Sequence, residues 1–245
     1  MSHIKVGRTV FVTGASRGIG FEISSALLTS GFQVVGVARK LTDDYARLQE
    51  SHGGRAGFLE ADLGSRAGTH AVAKRIRACA DLYGLVNNAG VAVGGLHAGL
   101  PQDDMDSMIT VNLMAPMVLS QAAIKAMSRR KSGRVVNISS ICAQRPYRGL
   151  GVYTATKAAL EGFTRVLATE AGAWGITVNC VAPGFVDTHM SSGIDETTRQ
   201  RILRRGMLPH ETTSADVASV VDFLLSPAAS AVTAEVLRVD GGAAA

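Results

Sequence analysis

Tyr153 and Lys157 stand four residues apart in Tyr153-Thr154-Ala155-Thr156-Lys157. On a helix that spacing puts a phenol and an ammonium on one face, about 6 Å apart along the axis. A cation so placed favours the phenolate, so the tyrosine pKa is expected to fall below its ordinary value near ~10. The phenol can then exchange a proton nearer neutral pH, as a general acid or base must. The same spacing also occurs as a surface pair on ordinary helices, so its surroundings matter. Ser139-Ser140 closes the apolar run before that helix, where a serine hydroxyl can hydrogen-bond a substrate carbonyl. Asn87-Asn88-Ala89-Gly90 closes an earlier apolar run. Asn112 lies inside a helical stretch, where a short amide side chain is a mediocre choice.

A second group of residues is suited to phosphate. Thr13-Gly14-Ala15-Ser16-Arg17-Gly18-Ile19-Gly20 follows a short apolar run and opens a helical one. In that context Gly14 permits a tight turn, Gly18 lets the backbone approach a pyrophosphate, and Gly20 lets helix and strand pack closely. Free amides at the helix start then face the anion. The strand–turn–helix setting separates this from a bare glycine triplet in a chain with 27 glycines. A tight turn with no ligand is the alternative. The second apolar run ends Val37-Ala38-Arg39-Lys40, with no carboxylate. An acidic residue there would bind the ribose 2′-hydroxyl of NAD and repel a 2′-phosphate. Arg39, with Arg17 in the nearby turn, can instead hold a phosphate. The reading is NADP(H) over NAD(H); the alternative is that Arg39 and Lys40 merely end a surface strand.

These side chains need a scaffold, and the punctuation of the chain supplies one. Seven apolar runs, at 8–13, 33–38, 56–61, 82–86, 134–138, 176–181 and 235–239, read as strands. Helical stretches at 19–30, 42–51, 66–80, 102–130, 152–172 and 214–225 lie between them. Strands without polar alternation are covered on both faces, as in parallel sheets. The chain therefore reads as α/β: one Rossmann-type doubly wound domain over 1–245, with a parallel sheet of about seven strands and helices on both faces. The catalytic candidates fall at strand ends on the carboxyl edge, where such sheets bind ligands. The long irregular stretch 184–213 is expected to form a substrate lid.

Composition narrows the classes. Of 245 residues 47% are hydrophobic and 18% charged, which excludes a disordered chain or a coiled coil. No run approaches the ~18 apolar residues of a membrane span. The apolar run 10–12 is too short for a signal-peptide core. The chain reads as soluble and cytoplasmic, with no membrane partner. Cys79, Cys142 and Cys180 are widely spaced and form neither a Cys-x-x-Cys pair nor a zinc pattern, so no metal is expected. The net charge of +5 favours anionic partners. The basic residues form no single block and aromatics are few, which argues against nucleic acid. The clusters 129–131 and 201–205 read as solvated helix ends or faces.

Taken together, these motifs resemble those of the short-chain dehydrogenase/reductase family in its classical single-domain form, over residues 13–242. The resemblance is carried by the glycine turn, Asp62-Leu63, Asn87-Asn88-Ala89-Gly90, Asn112, Ser140 thirteen residues before Tyr153, Lys157, and Pro183-Gly184. It implies that Tyr153 is the general acid of a carbonyl reduction and that Ser140 orients the carbonyl. Lys157 would bind the nicotinamide ribose and depress the tyrosine pKa, and Asn112 would hold a water that relays protons to Lys157. It further implies that NADP(H) is held by Gly14, Ser16, Arg17, Gly18, Ile19, Gly20, Arg39, Asp62, Leu63, Asn88, Ala89, Gly90, Tyr153, Lys157, Pro183, Gly184, Val186 and Thr188. Among these, Asp62 would contact the adenine, and Val186 and Thr188 the carboxamide. The helices bearing Asn112 and Tyr153 would form a dimer contact, in a homodimer or homotetramer.

Within the family the pattern is similar to the 3-oxoacyl-(acyl-carrier-protein) reductases. That implies NADPH-dependent reduction of a 3-oxoacyl thioester, carried on acyl carrier protein or CoA, to the 3-hydroxyacyl product in fatty acid biosynthesis. An acidic carrier protein would suit Arg129, Arg130 and Lys131. Three departures stand out: Trp174 where a basic residue is usual, Met207-Leu208-Pro209-His210-Glu211-Thr212 without the usual glycine-arginine signature, and Ala234 for a usual glycine. They keep open another ketone or alcohol, such as a polyketide, steroid or sugar derivative. A non-catalytic NADP-binding regulator is the alternative of a different class. The pocket is expected from 94–100, 144–151 and 190–206; Cys142 and Tyr147 either face it or pack, with packing the reading preferred for Cys142.

Overall fold

The computed structural model describes residues 8–187, 197, 199–200, 206–208 and 210–244. Seven strands form one sheet: β1 (Thr9–Thr13), β2 (Gln33–Ala38), β3 (Ala56–Glu60), β4 (Leu82–Asn87), β5 (Gly133–Ile138), β6 (Ile176–Pro183) and β7 (Val236–Val239). Their order is β3-β2-β1-β4-β5-β6-β7, and every neighbouring pair is parallel. The helices are α1 (Gly18–Thr29), α2 (Asp43–Ser51), α3 (Arg66–Ala78), α4 (Gln102–Ile109), α5 (Ala115–Met127), α6 (Gly151–Gly172) and α7 (Ser214–Leu225). The doubly wound α/β fold read from the sequence is the fold observed. Strand order reverses between β1 and β4, and such a switch point opens a crevice at the carboxyl edge.

Burial explains why the strands carry no polar alternation. All residues of β1, β4, β5 and β6 are buried, because helices cover both faces. On one face Ile23, Leu27 and Leu28 of α1 pack with Val217, Val221 and Leu224 of α7. On the other, Val72 and Ile76 of α3 pack with Leu119 and Met127 of α5 and Leu167 of α6. The helix starts are set by hydroxyl caps: Thr42 for α2, Ser65 for α3, and a reciprocal Thr213–Asp216 capping box for α7.

The stretch 102–130 is one continuous helical rod, with a π-helical turn (Thr110–Met114) between α4 and α5. It corrects one sequence reading: its 29 residues are long and apolar enough, by length and composition, to cross a membrane. Here the rod packs into the protein, burying Met108, Leu119, Ala123 and Met127. Most of the expected lid, the basic cluster 201–205, and Thr188 lie outside the described residues.

Candidate active site

The glycine turn follows β1 and opens α1. Gly14 has φ +67°, and a side chain there would meet the Asn88 amide nitrogen at 2.8 Å. A Cβ on Gly20 would come within 2.2 Å of the Gly14 carbonyl, so α1 can start this close to the turn only with glycine at that place. No side chain caps α1, which leaves its first amides open. Thr13 and Asn88 hold the turn from below. The Thr13 hydroxyl accepts from the backbone amides of Asn88 and Ala89 at 2.9 and 3.0 Å. The Asn88 amide donates to the carbonyls of Thr13 and Gly14 at 2.9 and 3.3 Å. Asn88 thus shapes the turn with the side chain that the sequence reading assigned to the cofactor. Thr13 went unassigned there, although a hydroxyl at the end of a fully buried strand was its signal.

Arg17 and Arg39 are both exposed, in the turn and just after β2. The Thr42 hydroxyl ties the two segments by donating to the Ser16 carbonyl at 2.9 Å. The structure adds a carboxylate that a strand-by-strand reading missed. Glu60 lies in register with Ala38, and its Oε1 accepts from the Leu41 amide at 3.1 Å. Asp62 is exposed beyond the end of β3, with one carboxylate oxygen on the Gly64 amide at 2.9 Å, while Leu63 is buried. At the far side of the crevice Gly184 follows β6, where a Cβ would meet Asp240 at 2.8 Å, and Val186 is buried.

The four catalytic candidates come from three elements. Asn112 sits in the π-helical turn, fully buried, and grips Val91 at both ends: its Oδ1 accepts from the Val91 amide and its Nδ2 donates to the Val91 carbonyl, each at 2.8 Å. Lys157 of α6 is buried and donates to the Ile138 carbonyl at the end of β5, at 2.8 Å. Its ammonium lies 5.7 Å from the centre of the Tyr153 ring. Ser140 lies beside the Tyr153 phenol, close enough to act on its pKa. A Cβ on Gly90 would lie 3.3 Å from Asn112 Oδ1 and 3.6 Å from Lys157 Nζ, so the missing side chain leaves a gap between those two groups.

The electrostatics correct the sequence expectation for Tyr153. Burial pushes the phenol up to about 12, a negative charge on Cys142 would push it further, and the nearby Ser140 hydroxyl only opposes this. Burial also pushes the Lys157 amine down to about 8. A lysine stripped of solvent has less hold on its own proton, and here desolvation of the phenol outweighs the attraction of the cation. The Tyr153 phenol is therefore a proton-holding group at neutral pH. Cys142 borders these groups: its backbone amide donates to Ser140 Oγ at 3.2 Å, and burial raises its thiol pKa.

Two other features bound the site. Arg199 bridges Asp187 and Glu211 at 3.2 and 3.0 Å, tying the two stems of the 184–213 stretch together. Arg129, Arg130 and Lys131 precede β5, whereas Ser140 follows it, so in one chain they lie at opposite edges of the sheet, roughly 20 Å apart along the strand. The structure does not bring that basic run to the site. Trp174 is partly exposed at the same far edge, where Gly175 abuts the Lys131 carbonyl.

Comparison with known proteins agrees with this geometry. A family model described as short chain dehydrogenase matches residues 8–199. A 3-oxoacyl-(acyl-carrier-protein) reductase of Salmonella typhimurium is 35% identical over 237 residues, covering 96% of this chain and 97% of its own. A crystal structure from Beutenbergia cavernae, assigned as an NAD(P)-dependent gluconate 5-dehydrogenase with bound NADP, superposes with a TM-score of 0.92 at 34% identity, covering 99% of this chain and 98% of that one. One from Agrobacterium tumefaciens, assigned as a 2-deoxy-D-gluconate 3-dehydrogenase with bound NADP, gives 0.90 at 33% identity, covering 96% of each.

Proposed function

The chain belongs to the short chain dehydrogenase family, and within it we propose an NADP(H)-dependent carbonyl reductase acting on a 3-oxoacyl thioester. The observation that carries the reading is the meeting of Ser140, Tyr153 and Lys157 at the carboxyl edge, across the Gly90 gap from Asn112. The donor set suits a phosphorylated dinucleotide. The open amides of α1 would hold its pyrophosphate beside Gly14, Ser16, Gly18 and Ile19. Arg17 and Arg39, which form no ion pair among the described residues, would hold a 2′-phosphate. Asp62, Leu63, Ala89, Gly90, Pro183, Gly184, Val186 and Thr188 would complete the cradle. When bound, the dinucleotide supplies the two electrons of the reduction as hydride.

The chain's own residues do the rest. Ser140 orients the carbonyl oxygen through its hydroxyl. The Tyr153 phenol, held protonated by burial, gives its proton to that oxygen as it becomes an alkoxide. The Lys157 ammonium faces the tyrosine ring, so it stabilises the phenolate that remains. Asn112 fixes Val91 and Gly90 beside the ammonium, and a water held there would return the proton through Lys157. The stretch 184–213 would close over the substrate as a lid.

The relatives support the thioester, with acyl carrier protein or CoA as its handle. Exposed Ile109, Met114 and Val166 on α4, the π-turn and α6 support self-association into a dimer or tetramer through those helices. A sugar-derived ketone is the second reading. It is favoured by the two NADP-bound neighbours. Initial rates of NADPH oxidation with acetoacetyl-CoA, acetoacetyl carrier protein, 5-ketogluconate and bulky aromatic ketones decide between them. Thioester turnover at least tenfold above the sugar acid is expected; silence on both thioesters removes the first reading. Tyr153→Phe should lose nearly all turnover while keeping NADPH fluorescence quenching, and a rate near that of the wild type would remove the acid.

A further inference from the structure

We propose that Glu161 is a positioning residue, which sets the active-site geometry by anchoring Ser139 to helix α6. The inference rests on the reductase reading above and concerns a residue that reading does not use.

Glu161 follows Lys157 by one turn on α6, as Lys157 follows Tyr153. It is a carboxylate only 4% exposed, an uncommon place for an acid. The Ser139 hydroxyl donates to its Oε1 at 2.8 Å, and Ser139 is itself 3% exposed. Arg165, one turn further on and half exposed, approaches its Oε2 at 4.0 Å. Breaking the Ser139–Glu161 bond would leave a buried polar group without this partner, which costs more than an exposed bond of the same kind.

The consequence follows from what flanks Ser139. On one side the Ile138 carbonyl receives the Lys157 ammonium at 2.8 Å. On the other, Ser140 stands beside the Tyr153 phenol. The Lys157–Ile138 contact joins the end of β5 to α6, as does the Asn137 side-chain amide donating to the Thr164 hydroxyl at 2.8 Å, and the Ser139–Glu161 bond is a further tie between the same segments. The Ser139 amide is held from the opposite direction by the Val181 carbonyl at 2.7 Å. With Ser139 fixed at both its amide and its hydroxyl, the residues before and after it have little freedom to shift against α6. Misplacement of a catalytic group by about 1 Å can cost ~100-fold in rate.

The test is kinetics on four variants of the full chain, Glu161→Gln, Glu161→Leu, Ser139→Ala and the double Ser139→Ala/Glu161→Leu, with NADPH and whichever carbonyl the substrate panel shows the wild type to reduce. Glu161→Leu and Ser139→Ala should each lower kcat about 10- to 100-fold with KM for NADPH moved less than about threefold. Glu161→Gln, whose amide oxygen still accepts from Ser139, should stay within about threefold of wild-type kcat. The double variant should be no slower than the worse single, and the losses in urea-unfolding stability should also be less than additive. Wild-type kcat in Ser139→Ala, or losses that multiply in the double variant, would overturn the proposal. Ser139→Ala deletes one hydroxyl and keeps the test open if Glu161→Leu does not fold. A wild type inactive on every carbonyl would refute the reductase reading instead, and the stability cycle would still report on the anchor.

Discussion

Replacing Lys157 by methionine should make the protein more stable at neutral pH and nearly inactive. The ammonium is 4% exposed and its pKa sits at about 8 where a free lysine has 10.5. Holding a charged lysine in that place costs the folded state roughly 3 kcal/mol at pH 7. Methionine fills similar volume without the charge. It also gives up the amine's bond to the Ile138 carbonyl, worth about 1 kcal/mol beyond what the shifted pKa already counts. The balance is a gain of about 2 kcal/mol, or ~5 °C in Tm for a chain of this size. The sign reverses with pH. Between about 8 and 10.5 the folded state has released a proton that the unfolded chain still holds, so wild-type stability rises with pH through that window. Lys157→Met lacks the group and gains nothing there. Its advantage should shrink by roughly 2 kcal/mol between pH 7 and pH 9.5, ending near zero or below. Urea unfolding of both proteins at the two pH values measures this directly. An advantage that does not change with pH, or a variant already weaker at pH 7, would show that Lys157 is not held charged against burial. Turnover should fall at least ~100-fold in the same variant, because the phenolate left by proton transfer loses its counter-charge.

Three further outcomes follow from other parts of the structure. Carbonyl reduction should be flat with pH below about 8 and fall above it as Lys157 loses its proton, while Tyr153, near 12, stays protonated throughout; a decline centred below pH 7 in the kcat profile would contradict this assignment. Ala234 is held at φ +64°, so Ala234→Gly should raise urea-unfolding stability by about 0.5–1 kcal/mol, and a loss of stability would mean the backbone there is not strained. Arg39→Asp should raise KM for NADPH by about 10- to 100-fold and leave KM for NADH equal or lower; equal losses with both cofactors would mean that Arg39 does not read the 2′-phosphate.

What the sequence made legible was whatever a residue does through its neighbours in the chain. The strand of 33–38 and the helix of 214–225 were readable to the residue, because the glycine before the first, and the threonine cap and following Ser226-Pro227 of the second, are local signals. Tyr153 and Lys157 were readable as a pair because a helix turns one spacing into one face. Properties created by packing across strands were hidden. Glu60 comes beside the end of β2 only through the β2–β3 register. The basic run 129–131 and Ser140 are about ten residues apart in the chain, yet β5 carries them to opposite edges. The phenol pKa failed for the same reason: a spacing of four residues reveals the cation but not the burial. The Tyr–Lys spacing supplies one term favouring the phenolate, and the packed end of β5 supplies a larger one favouring the phenol. That ordering suits a reductase, because the group that must deliver a proton holds it at neutral pH. The lysine's role then begins only after transfer, when the negative charge it faces has formed.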